Sequence, residues 1–152
     1  MMCSGLAALE LRLHREVPLT RHMGIRLDEY RDKELVIRAD LAANLNIHGT
    51  AFGGSLFSVC AVACWGLLHL SFEQEGLEAH TVLGEASIRY LRPVREDLRV
   101  SCRMPEDGSF DVFLHRLQRG GKASIQLRAT VGRQDEPAVE FRGEYAAQHT
   151  PG

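Results

Sequence analysis

The chain has 152 residues, of which 45% are hydrophobic and 25% are charged, and its formal net charge is −2. These values are typical of a globular protein, and the length predicts one domain with a sizeable core. Because there is no basic excess to hold a phosphate backbone, we expect no nucleic-acid partner.

The chain is expected to begin with a helix over residues 4–17. Ser4 can cap this helix, and Pro18 is expected to end it. Apolar residues recur at helical spacing at Leu6, Leu9, Leu13 and Val17. Since Met1–Ser4 contains no basic region followed by an apolar core, we expect no secretion signal. The cysteine usage described below fits a cytoplasmic location.

A segment without charged residues follows two predicted strands, over 23–31 and 34–41. Over Leu41–Phe72 there is no Asp, Glu, Lys or Arg. The segment passes from a polar loop, 43–52, into an apolar run that predicts a helix over 53–72. Such a run either spans a bilayer or forms a helix that the rest of a soluble protein encloses.

We favour the enclosed helix and expect no membrane span. The run is rich in small and weakly polar residues, and it is flanked by acids: Asp40 precedes it, and Glu73 and Glu75 follow it. A membrane-spanning helix usually shows a Lys or Arg bias and interfacial aromatic residues at its ends. The start of this helix would then be a polar spot in an apolar core.

After Gly76 the apolar period changes to two, which predicts about five strands. Asp107-Gly108 is a hairpin signal, so Val112 and Leu114 are placed on the next strand, which turns at Gly120-Gly121. The remaining strands are centred on residues 82–90, 98–104, 123–131 and 139–145. On the first of these, alternation predicts one shared face for Val82, Gly84, Ala86, Ile88 and Tyr90. Short turns favour antiparallel pairing. The fold class is therefore α+β, with a curved antiparallel sheet wrapped around one long central apolar helix, in a single domain over 1–152.

A sheet wrapped around one helix is the hotdog fold, and one motif supports it. The segment Asn44-x-Asn46-x-x-Gly49-Thr50-x-Phe52-Gly53-Gly54-Ser55-Leu56 resembles the motif of a hotdog-fold thioesterase family of the YiiD C-terminal-domain type. The resemblance covers roughly residues 20–148. Members of this family include proteins similar to stand-alone malonyl-acyl carrier protein decarboxylases.

The resemblance implies a substrate, a partner and an oligomer. Hotdog enzymes act on acyl thioesters carried on the phosphopantetheine of coenzyme A or acyl carrier protein. They form homodimers by joining two sheets edge to edge, and the thioester carbonyl lies at the start of the central helix. No cofactor of the protein's own is implied, and acyl carrier protein is the expected macromolecular partner.

The start of the central helix suits this chemistry on physical grounds. The first N–H groups of a helix have no partner within it and, with the helix dipole, attract negative charge. Gly53 and Gly54 allow a ligand to approach the backbone, and Asn46 offers a second donor. The predicted catalytic residues are Asn46, Gly53, Gly54 and Ser55; the predicted substrate contacts are Asn44, His48, Thr50, Phe52, Arg89 and Arg92. In the alternative interpretation, the asparagines only satisfy loop backbone and the glycines only permit tight packing.

The chain departs from the usual thioesterase pattern in a way that bears on the reaction. Many hotdog thioesterases carry a His before the paired glycines and an Asp or Glu two turns into the helix; here these places hold Phe52 and Ala61. Hydrolysis needs an activated water or a nucleophile, whereas decarboxylation needs a stabilised enolate and a poorly solvating site. We therefore favour malonyl decarboxylation, with thioester hydrolysis and non-catalytic acyl binding as alternatives.

Several other polar residues have two interpretations. His48 either shuttles a proton to the enolate carbon or is structural. Glu85 either supplies a hydrolytic base from the partner subunit or lies on a solvated face. Arg89, Arg92 and Arg95 either hold the phosphates of a pantetheine arm or an acidic carrier protein, or form a charged edge that discourages aggregation.

The cysteines and histidines give no sign of a metal site. Cys60 and Cys64 are one helical turn apart, which does not fit a CxxC motif, and we expect both to be buried free thiols. The histidines lack ligand spacing and no acidic cluster accompanies them, so we expect no bound metal. Trp65 and His69, also one turn apart, are expected to pack in the core.

Overall fold

The structure is a computed structural model that describes residues 2–150, with side chains from residue 5 onward. The helices are α1 (Met2–Glu16), α2 (Pro18–His22), α3 (Gly53–Gln74) and α4 (Ser109–Gln118). The strands are β1 (Arg26–Arg31), β2 (Glu34–Ala39), β3 (Ala79–Tyr90), β4 (Leu98–Arg103), β5 (Lys122–Arg133) and β6 (Glu136–His149). The predicted cap, Ser4, falls inside α1, and its side chain lies outside the described part.

All six strands belong to one antiparallel sheet in the order β1-β2-β4-β5-β6-β3. The sheet curves around α3, which packs against β2 to β6. This arrangement confirms the predicted hotdog fold. It leaves β1 and β3 at the two edges of the sheet, and β3 is 12 residues long.

The central helix α3 is enclosed as expected, with Leu67 and Leu68 fully buried. Gly66 lets the helix approach the sheet, because a Cβ there would lie 3.0 Å from Cδ2 of Leu35. Within the described residues α3 is the one helix with the length and hydropathy of a membrane span. In its most apolar 18-residue stretch, 61% is buried inside the protein. That burial is the property of a core helix.

The start of the fold differs in detail from the prediction. Pro18 ends α1 but also begins α2, where it occupies the first turn. A proline is tolerated there because that N–H has no intrahelical partner. This short helix displaces the start of β1 to Arg26.

The strand predicted around Val112 and Leu114 is wrong, because residues 109–118 form α4. Asp107 and Gly108 precede a helix rather than a hairpin: the Asp107 carboxylate accepts hydrogen bonds from the N–H and hydroxyl of Ser109. The helical signal was present at Phe110, Phe113, Leu114 and Leu117, which have the i, i+3, i+4, i+7 spacing and are all buried. Four strands therefore follow α3 instead of five.

The predicted faces of β3 are also corrected, because the pairing with β6 slips at Gly84. Leu83 pairs with Tyr145, but Glu85 pairs with the next residue back, Glu144. One extra residue in a strand reverses which residues point to each face of the sheet on the two sides of that residue. Leu83 therefore packs on the core, while Val82, predicted to share a face with Ala86, is 63% exposed.

The three cysteines with described side chains confirm the prediction of free thiols. Cys60 and Cys64 on α3 are buried beside Cys102 of β4, whose Sγ lies 3.3 Å from that of Cys64. Burial raises the pKa of Cys60 and of Cys102. Both are therefore neutral, weakly nucleophilic thiols.

Candidate active site

The polar loop before α3 is anchored at Asn44, which is only 2% exposed. Its Nδ2 donates to the carbonyl oxygens of Met23 and Asp40, at 2.8 and 2.7 Å. The main-chain carbonyl of Asn44 accepts from the N–H of Phe52, the N-cap of α3, at 2.7 Å. Asn44 thus ties the helix start to the end of α2, while its Oδ1 has no partner among the described residues.

Asn46 organises the tip of the loop. Its Oδ1 accepts from the N–H groups of His48 and Thr50, at 2.8 and 3.1 Å. Its Nδ2 donates to Oγ1 of Thr50 at 2.8 Å and makes a longer contact of 3.5 Å with the carbonyl of Ala51. Asn46 therefore has the structural role of the alternative interpretation, yet one of its two amide hydrogens is only weakly engaged.

The first turn of α3 presents N–H groups that no side chain in the described part of the chain caps. Phe52 is the N-cap and provides no side-chain hydrogen bond, and the first turn contains no acidic residue. The first bond back into the helix comes from the N–H of Leu56 to Phe52. The N–H groups of Gly53, Gly54 and Ser55 precede that bond and are the free donors of the helix start.

Two aromatic rings lie beside the paired glycines. A Cβ on Gly54 would lie 2.5 Å from Cε2 of Phe52, and one on Gly53 would lie 3.4–3.6 Å from Tyr90. The Tyr90 hydroxyl, at the end of β3, donates to the Gly53 carbonyl at 2.9 Å. Phe52 and Tyr90 are 54% and 52% exposed, so these rings flank the helix start without burying it.

Tyr90 was not predicted as a site residue. In the sequence it is only the last apolar position of a long strand, 37 residues from Gly53. Its position at the end of a strand is a weak signal, and the contact depends on how β3 passes the start of α3. Only the tertiary structure brings the two together.

The helix start is surrounded by exposed apolar side chains. The loop before α3 and the segment after β3 meet there, joined by a hydrogen bond from the N–H of Ala51 to the carbonyl of Val94 at 2.8 Å. The large exposed apolar residues on these segments are Leu45, Ile47, Phe52, Tyr90 and Leu91. We call these five residues the apolar rim, and exposed apolar residues on neighbouring segments are typical of a binding surface.

The predicted charged residues are not gathered into the helix start. Arg89 lies 3.7 Å from Glu140, and Arg92 is paired with Glu136. Both glutamates belong to the neighbouring strand β6. Glu85 is exposed on the outer face of the sheet, opposite Glu144. The arrangement of Glu85 fits the solvated-face interpretation, and the arginine pairs fit a charged edge.

Trp65 packs against the core as expected but is only partly buried, and His69 is also only partly buried. They stack on each other with ring centroids 5.3 Å apart and line an open groove of about 720 Å³ between α1 and the start of β3. Burial lowers the pKa of His69, although Glu73, 3.3 Å away, opposes that shift. The groove lies about 24 Å along α3 from Gly53, at a rise of about 1.5 Å per residue.

The described residues contain no group of three or more His, Cys, Asp or Glu side chains placed to hold a metal ion. The chemistry available at the helix start is that of backbone N–H groups, the Asn46 amide and hydroxyl groups. Such an arrangement can stabilise an oxyanion.

Comparisons with known proteins identify the family. Residues 6–149 match the family model described as "Putative thioesterase (yiiD_Cterm)", and the chain belongs to this family. This confirms the resemblance drawn from the motif at residues 44–56. At the level of the family, the protein is a thioesterase-like hotdog protein.

Solved structures agree with this assignment. A thioesterase-family protein from Shewanella oneidensis is 31% identical, with a TM-score of 0.88 over 97% of this chain and 99% of that one. A protein of unknown function from Chlorobaculum tepidum is 29% identical, with a TM-score of 0.88 over 95% and 94% of the two chains. A Pseudomonas aeruginosa protein described as a probable thioesterase shares the fold at 22% identity and a TM-score of 0.75, over 95% and 96% of the chains.

Proposed function

We propose that this protein decarboxylates malonyl-acyl carrier protein to acetyl-acyl carrier protein. The observation that carries the proposal is the start of α3, which offers free N–H groups in a segment without any carboxylate from Leu41 to Phe72. Family membership supports an acyl thioester as the substrate.

The reaction needs charge stabilisation at one oxygen. The bond between the carboxylate carbon and Cα of the malonyl group breaks, carbon dioxide leaves, and the electron pair moves into the thioester to form an enolate. The enolate then takes a proton at Cα to give the acetyl thioester. One oxyanion donor of this type contributes on the order of 3–4 kcal/mol.

The residues at the helix start have distinct roles in this proposal. The N–H groups of Gly54 and Ser55 and the weakly engaged amide hydrogen of Asn46 donate to the enolate oxygen. Phe52 and the apolar rim give the departing carboxylate a poorly solvating environment. His48 is exposed on the loop beside Asn46 and is the candidate proton donor to Cα.

Thioester hydrolysis is the second candidate, and the family description favours it. Against it, α3 carries no carboxylate near its start, and Glu85 lies on the outer face of the sheet. A water nucleophile would therefore lack a base from these elements. Non-catalytic acyl binding is a third candidate and differs by having no turnover.

We further propose that the active form is a homodimer joined at β3. An unpaired edge of 12 residues exposes N–H and C=O groups that another strand can pair with. Because Tyr90 ends this strand at the helix start, such a dimer would bring partner residues to the rim of the site. Arg89 and Arg92 lie at the same end of the edge, where an acidic carrier protein would dock.

A product assay tests the reaction. The protein is incubated with malonyl, acetyl and longer acyl thioesters on acyl carrier protein and on coenzyme A, and carbon dioxide and free thiol are measured separately. We expect carbon dioxide and acetyl-acyl carrier protein from the malonyl thioester. Free malonate and thiol without acetyl thioester would instead establish hydrolysis, and saturable binding without products would establish a binding module.

Asn46→Asp tests the oxyanion site. Aspartate keeps the shape and the acceptor for the His48 and Thr50 N–H groups but loses the Nδ2 donor and adds a negative charge. We expect kcat to fall by about 10²–10³, as on removal of an oxyanion donor. Gln148→Glu, an exposed amide-to-acid change on β6, is the matched control and should leave kcat unchanged. A folded Asn46→Asp variant with wild-type kcat would remove Asn46 from the mechanism.

A further inference from the structure

We propose that Tyr90 is a positioning residue, which orients the Gly54 N–H as the principal oxyanion donor of the helix start. This inference rests on the proposed function, because it assumes that a thioester carbonyl binds there. It concerns a contact between the end of β3 and the first peptide unit of α3.

The contact is specific and local. The Tyr90 hydroxyl donates to the Gly53 carbonyl at 2.9 Å, and its ring lies over the Gly53 Cα, where a Cβ would be 3.4–3.6 Å from three ring-end atoms. A Cβ at position 53 would make ordinary van der Waals contacts with Tyr90, so the specific link between the two residues is the hydrogen bond. A tyrosine hydroxyl is already protonated at neutral pH, and partial burial raises the pKa of Tyr90 further.

The carbonyl of Gly53 and the N–H of Gly54 belong to one peptide unit. That unit is planar and trans, so its oxygen and its hydrogen point in opposite directions. A donor that fixes the oxygen also fixes the direction of the N–H. Polarisation along such a chain of hydrogen bonds also makes the N–H a stronger donor.

The two glycines make this restraint necessary. With no Cβ at 53 or 54, the backbone has wide conformational freedom, and neither Phe52 nor any first-turn side chain caps the helix. Without Tyr90, the peptide unit would be held only by the helix that follows it. An oxyanion site depends on donors that are oriented before the reaction, so this freedom would reduce the rate.

Tyr90→Phe tests the inference, since it removes the hydroxyl and keeps the ring. The first measurement needs no substrate: the ¹⁵N–¹H signal of Gly54 should shift, and its amide hydrogen should exchange faster. The second is turnover of the thioester substrate, where we expect kcat to fall on the order of tenfold, less than on loss of a donor itself. KM should change little, because the ring and the apolar rim remain.

Tyr30→Phe is the matched control. Its hydroxyl donates to Oε1 of Gln74 at 2.7 Å, at the opposite end of α3, so it makes the same chemical change far from the site. It should leave the Gly54 signal and kcat unchanged. Thermal unfolding of both variants shows whether either change acts through stability.

The outcomes separate this inference from the proposed function. A Tyr90→Phe variant with a wild-type Gly54 signal, or with a wild-type kcat, overturns the positioning role. If the wild-type protein turns over no thioester, the proposed function fails, and the Gly54 signal alone then decides whether Tyr90 orients this peptide unit.

Discussion

Three side chains crowd the position of Gly143 on the inner face of β6. A Cβ there would lie 2.9 Å from ring atoms of both Phe141 and Tyr145 and 3.1 Å from Cδ1 of Leu83. Phe141 and Tyr145 are buried, and the Tyr145 hydroxyl donates to the carbonyl of Ala61 on α3 at 2.8 Å. Gly143 therefore lets two large rings meet over the central helix, beside the slip in β3.

We expect Gly143→Ala to destabilise the protein by about 1–3 kcal/mol, the usual cost of forcing an extra methyl into a packed core. Urea unfolding followed by circular dichroism measures this change. Gly5→Ala in α1 is the matched control, because its nearest contact would be an ordinary 3.6 Å. Its free energy of unfolding should be unchanged or rise by up to about 1 kcal/mol, since Ala favours a helix. An equally stable Gly143→Ala variant would contradict this account of β6.

At the scale of elements, α4 closes the core where α3 ends. Its buried face stacks Phe113 on Phe72, with ring centroids 6.0 Å apart, and Leu117 is fully buried. Val112, the residue before Phe113, is exposed to solvent. Helix α4 therefore contributes to stability by burying one apolar stripe, and it packs near the end of α3 opposite the proposed site.

Phe113→Ala should lower the free energy of unfolding by about 3–5 kcal/mol, because it removes a buried ring and leaves a cavity. Val112→Ala shortens a neighbouring exposed side chain and should change the free energy of unfolding by no more than about 0.5 kcal/mol. Chemical denaturation of the two variants compares them directly. Equal effects would mean that α4 is not packed as described.

At the scale of the whole molecule, β3 is both the edge of the sheet and the strand whose last residue reaches the helix start. Pairing of two such edges would convert two sheets into one and cover part of the apolar rim. The rim contains Ile47, which is 94% exposed, and exposed apolar surface beside a candidate site is typical of interaction surfaces. Assembly at this edge would thus be linked to the proposed site through one strand.

If β3 is the dimer edge, Val82→Lys should weaken the dimer, since a lysine on an edge strand opposes pairing. We expect the dimer dissociation constant to rise at least about tenfold, equivalent to about 1.4 kcal/mol. Sedimentation velocity over a range of concentrations measures it. Val112→Lys makes the same change on α4 and should leave the dimer intact. A wild-type protein that sediments as a monomer, or equal effects of both variants, would exclude this edge.

The sequence by itself determined the features that depend on local pattern. The charge-free run predicted α3 to within two residues of its end, and the alternation at 123–131 predicted β5. The motif from Asn44 to Leu56 placed the family and the helix start. These features depend on periodicity and residue type, which a single sequence displays.

Only the tertiary structure decided the features that depend on distant contacts. A hairpin signal at Asp107-Gly108 competed with the helical spacing of Phe110 and Leu117, and burial against the core favours the helix. The slip at Gly84 exchanged the faces of β3, which alternation alone cannot reveal. The contact from Tyr90 to Gly53 joins residues far apart in the chain, and only the path of the curved sheet around α3 brings them within hydrogen-bond distance.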